Sequence, residues 1–309
     1  MKDLQYFIPD DIPKEVLSFE EDISQLGVGK AGKLGGLYLL LEQSERVNKT
    51  IIKEQYSKVP LFIQRALYLE ESLPSMAYIY IISPSGGVLQ GDRYRIDIKL
   101  DKNAMAHFTT QGATRVYRMN KNFATQILNI TLESNCYLEY VPDQIIPYKD
   151  SRFFQSVNLN LHDSATLIYS ETIVPGRMAM DEYFDYDVCY LKTVAKNLTG
   201  KLKLVDTALL EPKKNPLKRF GILDDFNMLS NMYILTPSKN INILIERIGE
   251  DFIKFDTIVG ACSILPNESG IVVRILGNSI DKIKKVIHNI LDICRQEIIA
   301  AKFSGLRKN

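Results

Sequence analysis

From Gly35 to Asp206 the chain alternates apolar and polar residues with a period of two, and no long helical pattern interrupts it. The clearest runs are Tyr94 to Leu100 (YRIDIKL), Ile127 to Leu132 (ILNITL) and Val157 to Leu161 (VNLNL). Such alternation gives each segment one buried and one wetter face, which is the pattern of half-buried strands. Turn residues punctuate the runs at Ser85-Gly86-Gly87, Asp101-Lys102-Asn103, Ser134-Asn135 and Pro142-Asp143. With no helices between the strands, a doubly wound sheet is disfavoured, and stacked or sandwiched antiparallel β structure is expected.

After Asp206 the character changes. Pro212 to Pro216 reads as an exposed loop, Met228 to Leu235 as a strand, and Ser238 to Phe252 has helical spacing. Ile271 to Leu276 is a strand ended by Gly277. Ser279 to Phe303 then places Ile280, Ile283, Ile287, Ile290, Leu291, Cys294 and Ile298 on one stripe, with Ser279 as the expected N-cap. This is the one long amphipathic helix of the chain, packed on the sheet or offered to a partner. Residues 1–26 carry seven acids and two lysines and read as an acidic extension, whether folded or not, ahead of a single β-rich domain over 27–309.

Composition removes several function classes. Lys and Arg number 38 against 37 Asp and Glu, a formal charge of +1, so no whole-chain field gathers nucleic acid or an anionic membrane. The amino terminus is acidic and broken by prolines, unlike a secretory leader, and no apolar run approaches the ~18–20 residues of a membrane helix. A cytoplasmic protein with reduced thiols is expected. Cys136, Cys189, Cys262 and Cys294 are scattered, whereas a zinc knuckle needs ligands in close pairs.

Familiar catalytic motifs fail on inspection. Gly27 to Lys33 has the G-x-x-x-x-G-K spacing, but Leu34 stands where the magnesium-holding hydroxyl is required, and neither the preceding strand nor the following helix is there. The three histidines, His107, His162 and His288, have no nucleophile elbow to serve and read as structural or solvent-facing, with His288 on the polar side of the last helix. A β-rich hydrolase using Glu139 and Asp143 as a carboxylate pair is the alternative enzymatic reading.

Two stretches hold more small polar residues than a core strand should: Ser83 to Arg93 (SPSGGVLQGDR) and Thr109 to Arg118 (TTQGATRVYR). In the middle of β structure such groups must satisfy one another or line water. Together with Leu138 to Phe153 (LEYVPDQIIPYKDSRF), Glu171 to Met180 (ETIVPGRMAM) and Gly270 to Gly277 (GIVVRILG) ahead of the final helix, they resemble the UreD (UreH) family of urease accessory proteins. The likeness runs over about residues 35 to 303 in the family's order; Tyr169 stands where the family commonly has Trp.

The resemblance implies a mainly β fold, a β-helix-like stack of two sheets with a few α-helices. It implies a non-catalytic chaperone that binds apo-urease and UreF, with the GTPase UreG docked through UreF, and that conducts Ni²⁺ to the urease active site through an internal polar tunnel. A dimer of heterodimers with UreF is also implied, with no tightly bound cofactor. Matching positions nominate Asp92, Thr114, Asp143 and Glu171 as transient tunnel-lining contacts, with Glu139 and Thr110 as weaker additions. A conduit needs shallow binding: a nanomolar site holds its ion by about 12 kcal/mol, a millimolar one by about 4 kcal/mol. Each nominee has a structural reading beside it: Asp92 as a turn residue paired with Arg93 or Arg118, Asp143 as a turn cap, Glu171 as an ion pair with Arg177, Thr114 as packing. Arg115, Arg118, Arg152 and Arg177 are expected to keep these acids ionised. The last helix and its tail, Ala301 to Asn309, are the expected partner surface.

Overall fold

The computed structural model describes residues 4–21, 32–252 and 257–306. Two sheets face each other. One runs in the order β13 (Leu202–Leu210), β12 (Val188–Asn197), β10 (Arg152–Leu161), β7 (Ala124–Leu132), β4 (Arg93–Leu100), β1 (Leu34–Ser44) and β2 (Lys49–Lys58). The other runs β15 (Ile258–Ile264), β16 (Ile271–Gly277), β14 (Met228–Leu235), β11 (Thr166–Ile173), β8 (Tyr137–Tyr140), β5 (Met105–Thr110) and β3 (Ala77–Ile81). The short β6 (Thr114–Val116) and β9 (Ile145–Pro147) pair with each other, and β9 also meets β11.

The antiparallel expectation is corrected. β1, β4, β7, β10 and β12 run parallel in the first sheet, as do β3, β5, β8 and β11 in the second. Antiparallel pairs are confined to the flanks, β1 with β2, β12 with β13, and the β11, β14, β16, β15 series. Parallel neighbours need a crossover, usually a helix. Here the crossover is a strand of the facing sheet: β4, β5, β7, β8, β10, β11 and β12 alternate between sheets, so the chain coils as a solenoid. Period two looks the same in either direction, which is why the alternation alone could not tell them apart.

In-register stacking of like residues fixes the coils. On the inner face Phe108, Tyr140, Tyr169 and Tyr233 form an aromatic ladder with centroid spacings of 6.4, 5.9 and 6.0 Å. On the outer face of the first sheet Asn129 donates to Asp97 (2.6 Å) and Asn158 to Asn129 (2.9 Å). Leu37, Leu39, Ile98, Leu128, Val157, Leu159 and Leu138 fill the space between the sheets.

The acidic extension is laid on this body where it is described. A 3-10 turn at Leu4–Phe7 buries Phe7 beside Gly36, and the one-turn helix α1 (Lys14–Leu17) sinks Val16 among Phe123, Phe154 and Val188. Arg95 and Arg152 cover the rings of Tyr6 and Phe19 at 4.1 and 4.3 Å. Phe7→Ala is expected to cost about 3 kcal/mol, read as a lower urea midpoint; an unchanged midpoint would mean the segment is not part of the folded unit.

Two helices cover the outer face of the second sheet. α2 (Ile241–Phe252) begins after a 3-10 turn at Ser238–Asn240, later than the spacing predicts. α3 (Ile280–Ile299) follows the predicted stripe, but Ser279 makes no side-chain cap bond. Ile283, Val286, Ile287, Ile290 and Leu291 pack on Tyr137, Ile168, Met232, Val273 and Ile275. Arg295 is also fully buried within this stripe. Beyond Ala300, which has φ +52°, the chain folds back, so that the Phe303 amide donates to Asp292 (2.8 Å) and the Ser304 amide to Glu70 (3.2 Å). His288 does not lie on a free polar face: its ring meets Phe303 edge-on at 5.2 Å.

Candidate functional site

A cavity of about 300 Å³ lies between the sheets. Its inner walls are Gln126, Gln155, Tyr140, Tyr169 and Glu171, and its exposed rim is formed by Ser83, Pro84 and Gly86 with Gln111, Gly112 and Arg115. These rim residues are the two polar stretches that stood out in the sequence. They leave the alternating pattern because they border solvent-filled space. Gly87 has a specific reason to be glycine, since a Cβ there would sit 2.4 Å from the Tyr117 ring and 2.5 Å from the Arg115 carbonyl.

Three of the four nominated residues, Thr114, Asp143 and Glu171, line this cavity, as does Thr110. Asp92 does not. It is fully buried behind Tyr94, accepting from the Tyr94 hydroxyl (2.9 Å) and the amides of Lys33 and Leu89 (both 2.8 Å), and it pairs with the Lys33 ammonium (2.9 Å). Asp92 thus closes a turn, as its structural reading held, but with Lys33 rather than Arg93 or Arg118. Of the P-loop lookalike, Gly27 to Ala31 lie outside the described residues, and Lys33 is committed to Asp92.

Glu171 is a buried acid on the wall of this cavity. Its oxygens accept from the Tyr169 hydroxyl (3.0 Å), Gln155 (3.3 Å) and Asn231 (3.3 Å). Gln155 itself accepts from Gln126 (3.2 Å), so a line of amides crosses the cavity floor. Among the described residues no cation forms a salt bridge with Glu171. Arg177, its expected partner, binds Glu182, while Arg118 and Arg152 pair with Asp150 and Asp187. Burial therefore pushes the Glu171 carboxyl above its ordinary value, with nearby Asp206 adding to the rise and the bonds from Asn231 and Tyr169 opposing it.

Asp143 stands at a boundary. Its amide donates to Thr110 Oγ1 (2.9 Å) and its carboxylate meets the Lys284 ammonium of α3 (2.8 Å). Pro142, Asp143 and Thr172 also line a second cavity of about 240 Å³, on the outer side of the second sheet beneath α3 and the tail. The two cavities thus share these three lining residues, two of them in the segment between β8 and β9.

Glu139 lies in neither cavity. Its carboxylate receives both Nε and Nη2 of Arg295 at 2.7 Å, Nδ1 of His107 at 2.6 Å and the Tyr137 hydroxyl at 2.9 Å. Burial would raise its pKa, but Arg295 and then His107 pull it down to about 2. With these four donors on its carboxylate, Glu139 stands apart from the cavities that Asp143 lines, so the structure does not bring the Glu139/Asp143 pair together on one cavity. Arg295 is the residue that the sequence reading missed. Its signal was a lone cation in the apolar stripe, one turn after Leu291.

Among the described residues no group of three or more His, Cys, Asp or Glu is placed to hold a metal ion, and no helix is long and apolar enough to cross a membrane. The family model for the UreD urease accessory protein matches residues 35–308. The urease accessory protein UreD of Cenarchaeum symbiosum is 42% identical over 286 residues, covering 93% of this chain and all of that protein. UreD 2 of Brucella canis is 37% identical (93% and 95% covered) and UreD of Yersinia pseudotuberculosis 36% (92% and 89%). By sequence and by the coverage of the match, this chain belongs to the UreD family of urease accessory proteins.

Proposed function

We propose that this accessory protein acts in urease maturation as a non-catalytic scaffold that binds apo-urease and UreF. Ni²⁺ released from UreG, which docks through UreF, passes along the two cavities to the urease active site. The observation that supports the reading is the sharing of Pro142, Asp143 and Thr172 by the two cavities: a route from the exposed rim, past Thr114, Thr110 and Glu171, to the space beneath α3 would run through these residues. Hydroxyls, amides and single carboxylates offer nickel oxygen ligands without a well deep enough to trap it. Asp92 serves this route from behind, fixing the Tyr94 wall and the turn at the rim.

The test is reconstitution of urease activity from apo-urease, UreF, UreG, GTP, bicarbonate and Ni²⁺, with complexes isolated in parallel. Asp143→Ala is expected to keep the complex with UreF and urease and to reduce the rate of activation about tenfold, the usual size of an effect at a metal-contacting shell. Full activation by this variant, or the absence of any complex with the parent, overturns the reading.

A further inference from the structure

Two buried side-chain atoms along the second cavity have no donor to accept from among the described residues. Among the described residues, Nε2 of His107 and Oε1 of Gln144 have no hydrogen-bond partner, and both residues line that cavity. His107 is 1% exposed and its ring is fixed between Tyr78 (centroids 5.4 Å) and Phe303 (6.1 Å), nearly parallel to both. Its Nδ1 faces a carboxylate that can only accept, so in the neutral ring the proton sits on Nδ1 and Nε2 presents a lone pair. Glu139 in turn is clamped by Arg295. A carboxylate that fixes the tautomer and orientation of an imidazole is the arrangement by which proteins prepare a histidine for a metal ion. Buried polar atoms are ordinarily satisfied, so two orphan lone pairs on one cavity call for a cation or a hydrogen-bond donor there.

We infer that the second cavity is a cation station in which Nε2 of His107 is the principal ligand and Oε1 of Gln144 an auxiliary one, taking a borderline-soft divalent ion such as Ni²⁺. One imidazole and one amide make a shallow site, with water completing the coordination. The inference rests on the transit reading only for the identity of the ion; the chemistry of the site would take Co²⁺ or Zn²⁺ as well.

The experiment titrates NiCl₂ into the full chain labelled with ¹⁵N-histidine and follows the ring signals. Paramagnetic broadening is expected at His107 before the exposed His162. His107→Asn keeps an N–H aimed at Glu139 and deletes Nε2. It is expected to weaken nickel binding about tenfold or more at an unchanged unfolding midpoint. If the His107 signals stay sharp while other signals broaden, or if the variant binds nickel as the parent does, the station is refuted. The NMR arm uses the parent protein and stands even if the variant folds poorly. Nickel binding at His107 alongside normal urease activation by Asp143→Ala would sustain the station and refute transit. Loss of activation with nickel indifferent to His107 would do the reverse.

Discussion

Arg295→Met is expected to remove about 3–5 kcal/mol of folding stability and to reverse the slope of stability against pH. The guanidinium is fully buried, forked onto Glu139, bonded to Glu70 (2.6 Å) and stacked 4.5 Å over the Phe303 ring. Methionine fills a similar volume but leaves the Glu139 charge without its main counter-ion. In the parent, the Glu139 carboxyl is held at about 2, below its unfolded value. Its contribution is therefore complete above the ordinary carboxylate range and is lost as pH falls toward about 2. In the variant, burial, the largest single influence, is opposed only by the His107 and Tyr137 bonds and is expected to lift the carboxyl above its unfolded value, so acidification from about pH 7 to about pH 5 should stabilise the fold. Urea denaturation at several pH values measures both effects. Adding Glu139→Gln should recover part of the loss, because it deletes the stranded charge. A loss below about 1 kcal/mol with the parent's pH slope would show that Arg295 is not the keystone between α3 and the second sheet.

That network also shows which parts of the fold the sequence reveals and which it withholds. The strands at Tyr94 to Leu100, Ile127 to Leu132 and Val157 to Leu161 were legible because a two-residue period reports one buried face. Their direction was not legible, since it depends on whether a strand returns beside its neighbour or across the core. The solenoid leaves no sequence repeat. Its coils are held by position-specific ladders such as Phe108, Tyr140, Tyr169 and Tyr233, four residues whose regular vertical spacing is evident only once the register is known. α3 was legible as an apolar stripe, whereas its keystone Arg295 satisfies partners 156 and 225 positions earlier in the chain.

The site was legible to a similar depth. The rim segments betrayed themselves by carrying small polar residues where strands carry apolar ones, and Thr114, Asp143 and Glu171 converge on one cavity. Asp92 has the same composition around it yet turns away, because a buried carboxylate beside Lys33 and three N–H or O–H donors is already satisfied. His107 read as an ordinary strand residue because neither Glu139 on its ring nor Phe303 over it is a sequence neighbour. Of the four arginines expected beside the site acids, Arg115 lies on the cavity rim, whereas Arg118, Arg152 and Arg177 staple loops at Asp150, Asp187 and Glu182. Among the described residues, Glu171 is thereby left in the cavity with amide and hydroxyl donors but no paired cation.

Glu171→Gln should separate stability from function. A carboxyl that burial pushes above its ordinary value favours the folded state when protonated, so its stabilising contribution is present at low pH and is lost as pH rises through the shifted value. At neutral pH the ionised group opposes folding, and the neutral amide removes that cost; its one oxygen still accepts from Tyr169 and Gln155, while its NH₂ replaces the oxygen that accepted from Asn231. The variant is expected to be as stable as the parent, or more stable by up to about 1 kcal/mol, with a flatter stability profile through the weakly acidic range. Nickel-dependent activation of urease should fall about tenfold, because an amide has no charge to draw the ion off the rim. Thermal or urea unfolding across pH, run beside the reconstituted activation assay, reads both quantities on the same preparation. A less stable variant with full activation would make Glu171 a structural acid. The opposite pairing marks a charge that the fold carries at its own expense, which is what a residue placed for the ion rather than for the core must do.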